Sequence, residues 1–156
     1  GSRHPSIAPF EAFKTKDSYI IIAAGNDKLF TKLCDVLKIP ETANDERFNS
    51  NSLRCENMDH LKEIFEKQLS SKSTDEWVKE MEELKIPCGP IFNIKQAVEN
   101  PQIQERNMIV KSYHKIIGEF KSAGNPIKMS TYKDENTRGD IPDLDEHREK
   151  IIKEFS

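Results

Sequence analysis

A chain of 156 residues is long enough for a domain with its own core, but with 35% hydrophobic and 33% charged residues that core must be economical and the surface heavily charged. The formal net charge of −3, from 24 basic and 27 acidic side chains interspersed along the sequence, argues against a nucleic-acid partner, which needs a basic face. No apolar run approaches the roughly 18 residues of a membrane span and no signal peptide opens the chain, while three scattered cysteines (Cys34, Cys55, Cys88) favour a reducing, intracellular setting over a disulfide framework.

Gly1–Pro9 holds a glycine and two prolines, which rule out a regular helix. Two readings stay open: a tag scar at Gly1-Ser2 with a disordered entry segment, or a shaped loop that presents Arg3 and His4. After Phe10–Phe13 and a polar turn, Tyr19–Ala24 is continuously apolar and predicts a strand covered on both faces. Asn26 is suited to cap a helix whose stripe is Phe30, Leu33, Cys34 and Leu37, with Pro40 as its stop. Residues 41–52 are polar, with a short turn at Asp45–Phe48. Asn57 is suited to cap the next helix, whose stripe is Met58, Leu61, Ile64, Phe65 and Leu69. Ser73 and Glu76 form a capping-box pair ahead of Trp77, Met81 and Leu84, which predicts an antiparallel helix pair.

That second helix runs into Pro87-Cys88-Gly89-Pro90, with Leu84, Ile86 and Ile91 around it. Two prolines that fix φ about a Cys-Gly pair predict a stiff, partly buried turn around which the domain assembles. Beyond it, Asn93 with Gln96 and Asn100-Pro101 start two short helices. Met108–Tyr113 and Gly118–Ala123 read as a hairpin with Phe120 inward, and Ile127 and Met129 as an extension of its sheet. Thr131–Asp143 reads as a linker, and Leu144, Arg148, Ile151, Ile152 and Phe155 as an amphipathic helix with no partner in the chain.

Little in these residues points to self-sufficient catalysis. His4, His60, His114 and His147 share no metal-ligand spacing with the cysteines, so no metal site is expected. Ala24-Gly25-Asn26 has one glycine where a dinucleotide loop wants three, and there is no Gly-x-Ser-x-Gly elbow. Cys88 is a possible nucleophile, although a cysteine between prolines reads more simply as a small buried apolar residue. The acidic residues lie mostly opposite the apolar stripes, as solvated faces do.

The ordered motifs are Gly1-x-x-His4-Pro5-x-x-Ala8-Pro9-Phe10, Phe13-x-Thr15-x-Asp17-x-Tyr19-Ile20-x-Ile22-Ala23-Ala24-Gly25-Asn26, Phe30-x-x-Leu33-Cys34, Asp45-Glu46-Arg47-Phe48-x-x-Asn51, Glu76-Trp77, Ile86 to Ile91, Asn100-Pro101-Gln102 and Gly124 to Ser130. In this order they resemble the C-terminal part of the family III CoA-transferases, from Gly1 to about Ser130, with weaker echoes to Phe155.

The resemblance implies an α+β fold, a small antiparallel sheet of about three strands packed by several helices, over residues 1–130. Residues 131–156 would then be a linker and helix returning to a large domain that lies outside this sequence. It further implies that the large domain carries the catalytic aspartate and most of the contacts to coenzyme A, that two subunits interlock, and that acyl-CoA and a carboxylate acceptor are the substrates. No catalytic residue is expected within the 156 residues. The resemblance makes Gly1, Ser2, Arg3 and His4 a substrate-pocket loop, with one glycine where some relatives have a run. It makes Pro87, Cys88, Gly89 and Pro90 a packing turn in the pocket wall. Leu144-Asp145-Glu146-His147 departs from the Leu-Gly-Glu-His of many relatives. The implied setting is cytoplasmic, or mitochondrial in a eukaryote. Two alternatives stay open: the small domain of an α-methylacyl-CoA racemase-like enzyme, which Ala24-Gly25-Asn26 disfavours, and a non-catalytic binding or scaffold domain of the same fold.

Overall fold

In the computed structural model, which describes residues 1–156, Phe10–Lys14 (β1) pairs antiparallel with Tyr19–Ala23 (β2), and Cys88–Pro90 (β3) pairs antiparallel with the other edge of β2. Side chains alternate along β2: Ile20 and Ile22 are fully buried, whereas Tyr19 is 49% exposed and Ile21 and Ala23 are half-buried. The strand is therefore sealed on one face only, not on both, because the helices of this unit gather on the side of Phe13, Ile20 and Ile22.

The Pro-Cys-Gly-Pro stretch is an edge strand rather than a turn. The register pairs Ile20 with Pro90 and Ile22 with Cys88, and the bonds Ala23 N–H to Pro87 O (2.9 Å) and Ile91 N–H to Tyr19 O (3.4 Å) set its parity. Pro90 falls at a non-hydrogen-bonded position, so its missing N–H removes no ladder bond. Pro87 accepts a bond that it cannot return, and pairing stops there. Of the apolar residues around it, Ile86 is buried but Leu84 and Ile91 are nearly half exposed, so the stretch closes the sheet and is not the centre of the core.

Five helices complete the first unit: Asp27–Val36 (α1), Pro40–Ala43 (α2), Asn51–Glu56 (α3), Met58–Leu69 (α4) and Thr74–Glu83 (α5). Asn26 caps α1 by accepting from Leu29 N–H at 2.8 Å, and Ser73 with Glu76 closes the full capping box of α5. Pro40 does not end α1; Lys38 turns the chain at φ 60° and Pro40 opens α2 in the first helical turn. Asn57 donates to Leu53 O rather than capping α4 with its side chain. α4 packs on β1, and α5 packs on β2, β3 and α1. The two are tied by Trp77, whose Nε1–H donates to Leu69 O at 2.8 Å. Phe65 stands between Phe13 (5.7 Å between ring centroids) and Phe30 (6.2 Å), in spacings that favour tilted aromatic pairs.

Contacts divide the chain into Gly1–Ile91 and Phe92–Ser156, so the boundary expected at 130/131 falls inside the second unit. That unit holds Ile94–Glu99 (α6), Pro101–Glu105 (α7), Ile109–His114 (β4), Gly118–Ala123 (β5), Thr137–Asp140 (β6) and Arg148–Phe155 (α8). β4 and β5 form the expected hairpin, with Phe120 half-buried. The third strand is β6, parallel to β4, within the stretch read as a linker; Ile127 and Met129 are exposed and extend no sheet. The architecture is α+β, with one antiparallel and one mixed three-stranded sheet. No helix is long and apolar enough to cross a membrane.

Candidate functional site

The entry segment is a shaped loop. Ala12 N–H donates to Ser2 Oγ (3.1 Å) and His4 N–H donates to Phe10 O (2.9 Å), so residues 2–4 run along the outer edge of β1. Helix α3 holds the next residues. Ala8 N–H donates to Asn51 Oδ1 (3.0 Å), Asn51 Nδ2–H donates to Ser6 O (2.8 Å), and Arg54 Nε–H donates to Ala8 O (2.8 Å). Asn51 and Arg54 are three residues apart and share a helix face, so one short helix grips both sides of Ile7. The disordered reading of this segment does not survive these contacts.

Arg54 is the residue that sequence reasoning missed. It has no exposed surface, and its guanidinium also donates to Phe48 O (3.0 Å), Gly25 O (2.8 Å) and Asp27 Oδ1 (2.9 Å). One side chain thus ties together the entry loop, the β2–α1 turn and the loop before α3. The signal was an arginine on a short helix whose flanking sequence is polar, which local pattern reads as a solvated position.

Arg3 and His4 have different surroundings. Arg3 donates from Nε to Glu11 Oε1 at 2.8 Å and from Nη2 to Asp59 Oδ1 at 2.6 Å. Glu11 is only 3% exposed, on the inward face of β1, and receives Lys62 Nζ at 2.5 Å on its other oxygen. Arg3 is therefore committed to two carboxylates, and a buried carboxylate is matched by two cations, as burial of charge requires. The His4 ring stacks on Phe10 at 5.4 Å, and its Nδ1 accepts from Ser6 N–H at 3.2 Å. Arg3, His4, Pro5, Ile7 and Ala8, with Cys55 and Met58 opposite, line a cleft of about 140 Å³.

The other predicted group lies elsewhere. Pro87–Pro90 occupies the far edge of the sheet, separated from the Gly1–His4 segment by β1 and β2, at roughly 4.8 Å per strand. The two groups therefore do not meet within this unit. Burial pushes the Cys88 thiol above its ordinary range, and its sulfur lies 3.9 Å from Val78 O, the environment of a packed thiol rather than a nucleophile. No group of three or more His, Cys, Asp or Glu side chains is gathered where it could hold a metal ion.

A larger depression, about 370 Å³, lies in the second unit beside the Gly124–Ser130 motif and is lined by Ile127, Met129, Tyr132 and Arg138, among others. Its lining cations are already matched: Arg138 meets Asp134 at 2.8 Å and Lys133 meets Glu135 at 2.7 Å.

Comparison with known proteins decides the family. A model of CoA-transferase family III matches residues 1–148. The chain belongs to CoA-transferase family III. It is 40% identical to an acetyl-CoA:oxalate CoA-transferase of Acetobacter aceti over 100% of this chain and 39% of that protein. To the succinyl-CoA:glutarate CoA-transferase of Homo sapiens it is 32% identical, over 99% of this chain and 35% of the relative. A crystal structure of a CaiB/BaiF family protein from Brucella suis superimposes with a TM-score of 0.78 at 32% identity, covering 100% of this chain and 40% of that one. The chain thus spans about two-fifths or less of the length of these family III relatives.

Proposed function

We propose that this family III chain forms the small domain of an enzyme that moves coenzyme A between carboxylic acids. The observation that carries this reading is the 40% identity over the whole of the chain to a CoA-transferase of which the chain spans 39%. In this reading the small domain covers residues 1–130, and residues 131–156 return towards a large domain of the same protein. The exposed apolar side chains of α8, Ile151, Ile152 and Phe155, support a surface that meets another part of a longer chain or a second subunit of a homodimer.

The chemistry would then be divided. An aspartate of the large domain would attack the acyl-CoA thioester, forming a mixed anhydride and expelling the CoA thiolate. That thiolate would attack the aspartyl carbonyl, freeing the donor acid and leaving an enzyme-bound CoA thioester. The acceptor carboxylate would displace the thiolate to form a second anhydride, and the thiolate would then attack the acceptor's carbonyl, releasing the new acyl-CoA and the aspartate. Covalent catalysis splits one difficult transfer into easier ones. The large domain would hold most of the coenzyme, and this chain would supply a wall of the acyl pocket at Gly1–His4, while Pro87–Pro90, on the opposite edge of the sheet, would serve as a packing element. The helix α3 clamp supports a fixed wall at Gly1–His4 rather than a moving lid.

The test is a CoA-transfer assay on the full-length parent protein, with acetyl-CoA, formyl-CoA and succinyl-CoA as donors and oxalate and glutarate as acceptors. New thioester formed from at least one pair is expected. Thioester hydrolysis alone, or proton exchange at the α-carbon without transfer, would overturn the reading.

A further inference from the structure

The two polar side chains of the entry loop differ in what they have left to offer. The Arg3 guanidinium lies between Glu11 and Asp59, 2.8 and 2.6 Å from their oxygens. With Lys62 on the other oxygen of Glu11, the two cations and two carboxylates balance, so this corner of the cleft presents no free positive charge. An acid entering beside Arg3 would have to displace a carboxylate already in place.

His4 is arranged differently. Its Nδ1 is occupied as an acceptor by Ser6 N–H at 3.2 Å, so the ring proton resides on Nε2. Stacking on Phe10, with the two rings 10° from parallel, holds the plane of the ring. Helix α3 in turn holds Ser6 through Asn51. Nε2–H has no partner within the protein, and the ring lines the cleft with Ile7, Cys55 and Met58, whose surfaces offer little competition for a hydrogen bond.

We infer that His4 is the binding contact for the acyl group, donating a hydrogen bond from Nε2–H to a carboxylate or carbonyl oxygen of a carboxylic acid, while Arg3 serves to hold the loop. The inference rests on the proposed CoA-transferase reading for the identity of the ligand, but not for the tautomer or the accessible donor.

The experiment uses the full-length parent protein and His4→Phe, which keeps the stacking on Phe10 and removes the donor. Calorimetric binding of oxalate and glutarate is measured beside the rate of CoA transfer, and long-range ¹H–¹⁵N spectra of the imidazole report the tautomer. The expected result is a proton on Nε2 and a Kd and KM for the better acid that rise about tenfold or more in His4→Phe, the loss of a hydrogen bond to a charged acceptor, with unchanged thermal stability. His4→Gln, which returns an N–H donor, is expected to recover part of the affinity. A proton on Nδ1, or equal Kd and KM in wild type and His4→Phe, overturns the inference. Weakened acid binding in His4→Phe, with no CoA transfer by the wild type, upholds the His4 contact and refutes the transferase reading. Absence of both binding and transfer refutes both.

Discussion

The Arg54 guanidinium carbon lies 4.5 Å from the centroid of the Phe30 ring, and neither side chain is open to solvent. A cation in this position is held by the ring on one side and by backbone carbonyls at its edge, and only Asp27, itself largely exposed, brings it a countercharge. The entry loop takes its shape from this arrangement.

Replacing Arg54 by Met therefore strands the buried carbonyls of Ala8 and Phe48 and leaves the partly buried carbonyl of Gly25 without its donor. At about 1–3 kcal/mol for each buried unsatisfied group, the variant is expected to lose at least about 2 kcal/mol of stability, read as a lower urea midpoint. Arg54→Lys keeps the charge without the planar fork and is expected to fall well short of the wild type. A midpoint unchanged in Arg54→Met would refute the clamp.

A second prediction concerns Gly124. Its N–H donates to Met108 O at 2.9 Å, and an added Cβ would run into the backbone carbonyl of Asn107, a residue already at φ 47° and tied to Asp134 O through its side-chain amide. Gly124→Ala should cost about 1–3 kcal/mol, the range of a forced backbone shift, and speed hydrogen exchange at the β4 amides. Gly139→Ala, where an added Cβ meets nothing within 4 Å, should stay within about 0.5 kcal/mol of wild type. Equal effects at the two positions would contradict the packing described.

Acid should weaken the fold in a defined window. Asp17 is held below the ordinary carboxylate range chiefly by the backbone N–H of Thr74, whose hydroxyl and that of Thr15 add to it. Hydrogen bonds from Arg47 hold Asp45 at about 2, and Lys128 followed by Arg138 holds Asp134 at about 2. A carboxylate whose folded pKa is depressed contributes stability in full above its unfolded pKa and loses it as pH falls through the folded one. Stability should thus be level above about pH 4 on this account and decline between about 4 and 2. Asp17→Ala should show a deficit above pH 4 that narrows in that window; a deficit that widens on acidification would reverse the assignment.

The thiols offer a third kind of check. Burial pushes Cys34 up to about 12, and its side chain has no exposed surface. In the native protein at pH 8, Cys34 should resist a thiol-specific disulfide reagent and react only in denaturant. Native-state labelling of Cys34 at the rate of a free thiol would place it outside the core.

Most of the caps were legible in the sequence, though not the side chain of Asn57, which turns back to Leu53 O instead of capping α4. Asn26, Ser73 with Glu76, Asn93 with Gln96 and Asn100-Pro101 all open helices as their local chemistry demands, since each side chain satisfies an otherwise orphaned N–H. What was not legible depended on distant partners. β6 lies in a polar tract because its pairing with β4 is made by backbone groups such as Lys111 N–H to Asn136 O, with no apolar signature. β3 was hidden because two prolines read locally as a turn, and their tolerance at a sheet edge shows only when β2 lies alongside. Arg54 belongs to the same class: three carbonyls far from it in sequence, or across a loop, make it structural. The entry loop was recognised as a segment, but the different surroundings of Arg3 and His4 show only with Glu11, Asp59 and Ser6 in place.

The measurement that bears most directly on the account compares the 156-residue chain with the full-length parent protein in one coenzyme exchange assay, free of contaminating full-length enzyme. On the proposed reading the reactive carboxylate lies outside residues 1–156, so the shorter chain should leave acyl-CoA untouched while the parent passes the coenzyme to an acceptor acid. Sustained turnover by the 156 residues alone would contradict it.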